Sequence, residues 1–222
     1  MILIYEGGNT MKTPFIVLDG MDGSGKGTQV ALLKERLLRE GAHVHFTREP
    51  GGAEFSEDIR SIIKSARGAS ADITTIFLLF WAARNEWMKR DVIPALENEV
   101  PVFTDRCDSS TFAYQVCAEK HPELAEWCFE MRDRVFGRAK PSHYIFLEVP
   151  PEVARNRAMS DKKRDSCYFD EKSLGYYERV TQGFKDFGLS VGSTSFVDGM
   201  RDPAVVHEDI WRIVAKELRI VR

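Results

Sequence analysis

Short apolar runs rich in β-branched and aromatic residues recur along the chain: "FIVLD" at 15–19, "HVHFT" at 43–47, "PVFTD" at 101–105, "HYIFLEV" at 143–149 and "TSFVD" at 194–198. Stretches with helical spacing separate them, near 26–40, 56–66, 72–90, 109–118, 123–137, 151–160, 170–187 and 203–218. Gly41 is a natural stop for the first of these. The alternation predicts parallel strands in βαβ units, and hence a single doubly wound α/β domain. The longest helical stretch, which starts "DITTIFLLFWAARNEW", is apolar almost all round, so burial or a subunit contact is expected for 72–90. No internal repeat or low-complexity tract interrupts the pattern.

The first strand runs into "GMDGSGKGT", which fits the phosphate-cradling spacing G-x-x-x-x-G-K. Gly20, Asp22, Gly23, Ser24 and Gly25 would form the loop, with Lys26, Gly27 and Thr28 opening the next helix. Glycines let successive N–H groups turn toward phosphate oxygens, the helix start adds its positive dipole end, and a lysine bridges the outer phosphates. The motif usually closes with Ser or Thr, whose hydroxyl ligates magnesium, but Gly27 stands there and Thr28 follows. Either Thr28 supplies the hydroxyl, or Mg2+ is held through water and carboxylates, with Asp22 available. The order G-K-G-T resembles the loop of adenylate kinases and speaks for a kinase rather than a GTPase-like switch.

Composition narrows the class. A chain of 222 residues with 43% apolar content can bury a substantial core. Its 31 basic and 34 acidic residues give a net charge of −3, which speaks against a broad nucleic-acid surface and for a small polyanion held in a local basic site. Cys107, Cys117, Cys128 and Cys167 show no C-x-x-C pairing, so reduced cysteines in a cytoplasmic protein are expected. The start, "MILIYEGGNTMK", has neither a basic lead-in nor a long apolar run; residues 1–12 are expected to be a peripheral extension, with no membrane span.

Three further stretches define the chemistry. "FTREPGGAEFSEDIR" carries Arg48 and Glu49 into a Pro-Gly-Gly turn, and "FLLFWAARNEW" sets Phe80 and Arg84 at i, i+4 on one helix face. "VFTDRCDSSTFAYQ" ends a strand with Asp105 and Arg106, at the carboxyl edge where open parallel sheets bind ligands. With the loop, these resemble the thymidylate kinases, a family of P-loop nucleoside monophosphate kinases, over most of 14–218. The adenylate kinase signature D-G-[FY]-P-R is missing, which argues against AMP as acceptor.

The resemblance implies a three-layer P-loop kinase fold for 13–222: a five-stranded parallel sheet, helices on both faces, and a short mobile lid near 155–170. It implies ATP and Mg2+, dTMP as acceptor, and a homodimer with 72–90 as a plausible interface. Lys26, Asp105 and Arg106 would be catalytic, and Asp22, Thr28 and Asp105 would hold the metal. Phe80 would stack on thymine, Arg84 would bond its carbonyl edge, and Arg106 would grip the acceptor phosphate. Arg48 and Glu49 would also belong to the substrate site, with Ser110, Thr111, Tyr114 and Gln115 lining base and sugar.

The loop holds no basic residue other than Lys26, and the resemblance then implies the subgroup of the family that supplies arginine from the lid. The usual D-R-[FI]-E aligns with Cys167-Tyr168-Phe169-Asp170, where Tyr168 replaces the arginine. Arg164 is the first choice to reach ATP, with Arg157, Lys162 and Lys163 as alternatives. Cys107 stands where Tyr or His is common. These departures leave two alternatives open: a kinase for dUMP or 5-hydroxymethyl-dUMP, and a non-catalytic nucleotide-binding module.

Overall fold

The structure, a computed structural model, describes residues 13–160 and 173–220. Five parallel strands form one sheet: β1 (Phe15–Gly20), β2 (His45–Arg48), β3 (Val102–Asp105), β4 (His143–Glu148) and β5 (Thr194–Asp198), in the order β2-β3-β1-β4-β5. All pairings are parallel, with Leu18 opposite both Asp105 and Ile145. The central strand β1 is buried at every position. Its alternate residues serve opposite faces, which is why "FIVL" is apolar without a break.

Phe15 and Val17 join Trp81, Phe136, Tyr144, Phe146 and Phe187 in one core layer. Ile16 and Leu18 join Leu33, Leu37, Ile145, Leu147, Ile210 and Trp211 in the other. The first layer is covered by α4 (Ile73–Trp87), α7 (Leu124–Phe136) and α9 (Leu174–Val191), the second by α1 (Lys26–Arg39) and α10 (Pro203–Glu217). Each large side chain so buried contributes about 1.5–3 kcal/mol relative to exposure. α2 (Glu54–Lys64) packs Ile59 and Ile63 on Ala83, Leu79 and Phe80 of α4. A short α3 (Ala66–Ala69) follows it, and α8 (Pro151–Ser160) leaves β4.

Two segments differ from the regular helices expected. After α4, one wide i→i+5 turn spans Met88–Val92 before α5 (Ile93–Glu97). Pro94 stands at the start of α5 and has no N–H to give to the preceding turn, which the wider turn accommodates. The second runs from α6 (Asp108–Thr111) into wide turns over Phe112–Ala118. The apolar 72–90 stretch is mostly core: Phe77 and Trp81 are fully buried, whereas Leu78 is 48% exposed. No described helix is long and apolar enough to cross a membrane.

Candidate active site

β1 and β3 end side by side, and the site is built on those two ends. After Gly20 the chain turns through 21–25 and enters α1 at Lys26. Gly25, at φ 98°, caps that helix without a side-chain hydrogen bond, whereas Asp72 and Asp202 cap α4 and α10 with theirs. The first N–H groups of α1 are therefore left for a ligand. The glycines divide by function. A Cβ on Gly23 would lie 2.1 Å from Ala154 O of α8, and one on Gly20 2.7 Å from Leu147 O, so these two permit packing. A Cβ on Gly25 or Gly27 would meet nothing within 4 Å. Gly27 also lacks a positive φ, so sterics do not dictate the missing hydroxyl there.

Lys26 Nζ donates to Gly20 O at 2.8 Å and Met21 O at 2.9 Å, turned back on its own loop. Burial lowers its pKa to about 8 and nearby Arg106 adds to this, against the pull of Asp105, Asp22 and Asp19. A poorly solvated ammonium held by carbonyls is ready to exchange them for phosphate oxygens.

Beside the loop lies a pocket of about 220 Å³. Its walls include Arg48, Glu49, Phe80, Arg84, Arg106, Ser110, Thr111, Tyr114 and Gln115, together with Asp22 and Asp105. Nine residues expected from three separate stretches to contact an acceptor thus share one cavity with two of the three metal candidates. Arg106 occupies a left-handed conformation, φ 71°, strained for a residue with a Cβ. Its N–H donates to Leu18 O at 2.9 Å, and its guanidinium reaches Ser110 Oγ (2.9 Å), Asp19 Oδ1 (3.2 Å) and Asp22 Oδ1 (2.5 Å). Burial opposes its charge, but Asp22, Tyr114, Asp19 and Asp105 outweigh that and raise its pKa well above the ordinary value. Tyr114 OH accepts from the N–H of Asp22 at 3.3 Å, tying the pocket to the loop.

Arg84 is held on three sides. Nε lies 2.6 Å from Glu49 Oε1, Nη2 donates to Thr111 Oγ1 at 2.8 Å, and Cζ sits 4.2 Å from the Trp81 ring centroid. The Glu49 contact is close but not aligned as a hydrogen bond, so it holds by charge. Nη1 is buried with no hydrogen-bond partner among the described residues. Burial raises the Glu49 carboxyl to about 7 despite Arg84.

Among the described residues no cluster of three or more His, Cys, Asp or Glu is placed to hold a metal. Asp105 Oδ1 and Ser24 Oγ are, however, buried without hydrogen-bond partners among the described residues, and Thr28 is exposed at the helix start. One carboxylate beside a phosphate loop suits Mg2+, which keeps several waters and takes its other ligands from phosphates. Asp22 is engaged with Arg106. Arg157 is exposed on the last turn of α8, next to Ala158, whose N would lie 3.0 Å from a Cβ on Gly23. Arg164, Lys162 and Lys163 lie outside the described residues, as does the 167–170 alignment.

Sequence reading passed over three groups. Asp19, fully buried at the end of β1, accepts from Ser109 Oγ (2.6 Å) and Ser110 Oγ (2.9 Å) as well as from Arg106. Burial raises its pKa against Arg106 and Lys26. Arg60 and Lys64 also line the pocket. Their i, i+4 spacing on α2 was the available signal.

The chain matches the sequence model of the thymidylate kinase family over residues 18–210. A thymidylate kinase of Symbiobacterium thermophilum is 33% identical over 92% of this chain and 94% of the relative. One of Chlamydia caviae is 36% identical over 77% and 81%. The crystal structure of thymidylate kinase from Ehrlichia chaffeensis superposes with a TM-score of 0.72 at 26% identity, covering 90% of this chain and 97% of that one. Sheet order, phosphate loop and matched span agree: the chain belongs to the thymidylate kinase family, ATP-dependent nucleoside monophosphate kinases of the P-loop fold.

Proposed function

We propose that the protein transfers the γ-phosphoryl group of ATP to dTMP, giving ADP and dTDP. The observation that carries this reading is the convergence of Phe80, Arg84, Arg106, Tyr114 and Gln115 on one pocket that shares Asp22 with the phosphate loop. A pyrimidine fits between an aromatic side chain and a guanidinium donor, and Tyr114 stands where a sugar would pass toward Arg106.

The acceptor phosphate is already anionic at neutral pH, so no strong general base is required. Arg106, held by Asp19 and Asp22, would release part of that network to the acceptor phosphate and bring it in line with the donor. Lys26 and the open N–H groups of α1 would bind the outer phosphates of ATP. Mg2+, when bound, neutralises charge spread across those phosphates; Asp105, with Thr28 and Asp22, are the residues that would hold it. Arg157 on α8, or Arg164 from the lid, would complete the positive shell. Residues 13–222 would form one domain with the lid near 155–170. We assign the enzyme to the cytoplasm as a homodimer, for which exposed Leu78 of α4 is a contact candidate.

The test is ADP release with ATP and Mg2+ across dTMP, dUMP, 5-hydroxymethyl-dUMP, dCMP, dGMP and AMP. Preference for dTMP is expected. Preference for another pyrimidine would move the assignment to that acceptor, and ATP binding without turnover of any acceptor would overturn the kinase reading.

A further inference from the structure

Glu49 lines the pocket, yet its carboxylate already has a task. It stands at the end of β2, where its N–H donates to Asp105 O at 3.0 Å, so its backbone is fixed to the strand end that carries Arg106. Its side chain and that of Arg84 are each 1% exposed, in contact 35 positions apart in the chain. A buried ion pair is a poor device for joining a strand to a helix, because apolar residues of similar volume do that at equal or lower cost. What apolar residues cannot do is fix the azimuth of a guanidinium.

With Nε against Glu49, Nη2 on Thr111 and the flat face over Trp81, Arg84 has one nitrogen, Nη1, that neither pairs nor hydrogen-bonds with any of the described residues. That nitrogen is a donor with no acceptor capacity. A pyrimidine offers an acceptor oxygen at position 4 in thymine and uracil, and a donor amino group there in cytosine. A fixed donor meeting an amino group leaves both unpaired, which is the strongest form of rejection a binding site has. An Arg84 free to turn would lose that discrimination.

We infer that Glu49 is a positioning residue for base selection: it fixes the Arg84 guanidinium so that Nη1 is the donor left to read position 4 of the acceptor pyrimidine. This rests on the reading of the pocket as the acceptor site. The charged and titratable groups around Glu49 are Arg84, Asp108 and Cys107, and only Arg84 offers a fixed fork of donors.

The test is kcat/KM for dTMP, dUMP and dCMP in the full chain, for wild type, Glu49→Gln, Arg84→Met and the double variant, with ATP binding as the check on folding. Glu49→Gln is expected to narrow the dTMP:dCMP ratio by about tenfold or more, mainly through the KM for dTMP, with the KM for ATP within about twofold. The dTMP:dUMP ratio should hold, because the two bases are alike at position 4. In the Arg84→Met background, Glu49→Gln should narrow the ratio no further, since Glu49 acts through Arg84. An unchanged dTMP:dCMP ratio in an ATP-binding Glu49→Gln protein would overturn the inference. So would further narrowing in the Arg84→Met background, which would make Glu49 a direct contact of the base. Should Glu49→Gln fail to bind ATP, Glu49→Asp is read in the same way, with a smaller narrowing expected and no narrowing counting against. A wild-type enzyme that does not turn over dTMP would instead overturn the acceptor reading itself.

Discussion

The two halves of the site are built from different materials. The donor side is backbone: a glycine loop, an uncapped helix start and one lysine, with Gly25, Gly27 and Thr28 facing open space. The acceptor side is side chain: Glu49 pairs with Arg84, and Asp19 holds Arg106, Ser109 and Ser110, in two largely buried groups. Backbone donors bind any polyphosphate and leave little to select among nucleotides. Discrimination has to come from side chains whose geometry is over-determined, and burial is what over-determines them. The donor half should therefore tolerate change wherever space is open, and the acceptor half should tolerate almost none.

The largest effect expected is on Arg106→Ala. Positioned arginines in phosphoryl transfer are worth about 10³–10⁵ in rate. The variant should lose at least ~10³ in kcat while ATP still binds by calorimetry, and near-normal turnover would remove Arg106 from the mechanism. Next comes the pH dependence of stability. Glu49 has its carboxyl raised from 4.5 to about 7, so the folded protein holds its proton longer than the unfolded chain does. Its contribution is fully present below pH 4.5 and is lost as pH rises to 7, up to about 3 kcal/mol over that window. Glu49→Gln should flatten the fall in melting temperature between pH 4.5 and 7. An identical slope in both proteins would show that the fall arises elsewhere, Asp19 being the next group with the same sign.

The smaller effects contrast two loop glycines. Gly23→Ala drives a methyl into Ala154 O at 2.1 Å and into a positive φ, so a loss of about 1–3 kcal/mol in stability is expected by denaturant titration. Gly27→Ser meets nothing, and its stability should stay within about 0.5 kcal/mol of wild type. A loss at Gly27 as large as that at Gly23 would break the expectation that the donor loop tolerates change wherever space is open.

Much of this was legible in the sequence, and what was not has physical reasons. Every strand fell within two residues of its place, because an interior parallel strand must be apolar on both faces; β2, half-buried at the sheet edge, drifted most. The acceptor pocket was readable because each of its stretches carries its own local spacing. The wide turns at Met88–Val92 and Phe112–Ala118 were read as ordinary helix, since a change of about one residue per turn over so few residues leaves the apolar pattern intact. Asp19 was passed over because an acid ending an apolar run looks like a strand terminus. Its ties to Ser109 and Ser110 close a loop of 90 residues that no local pattern records. The Glu49–Arg84 pair is hidden for the same reason, though each partner was singled out alone.

Asp19 also bears on how the two substrate sites are joined. It touches Arg106 and both serines of the acceptor wall, and it sits at the root of the loop that receives the donor, where Gly20 N–H donates to it at 2.8 Å. A joint of that kind cannot pass information one way. Any factor by which a bound acceptor tightens ATP must be returned as the same factor by which bound ATP tightens the acceptor. The two affinities therefore carry a single reciprocal coupling, measurable from either side.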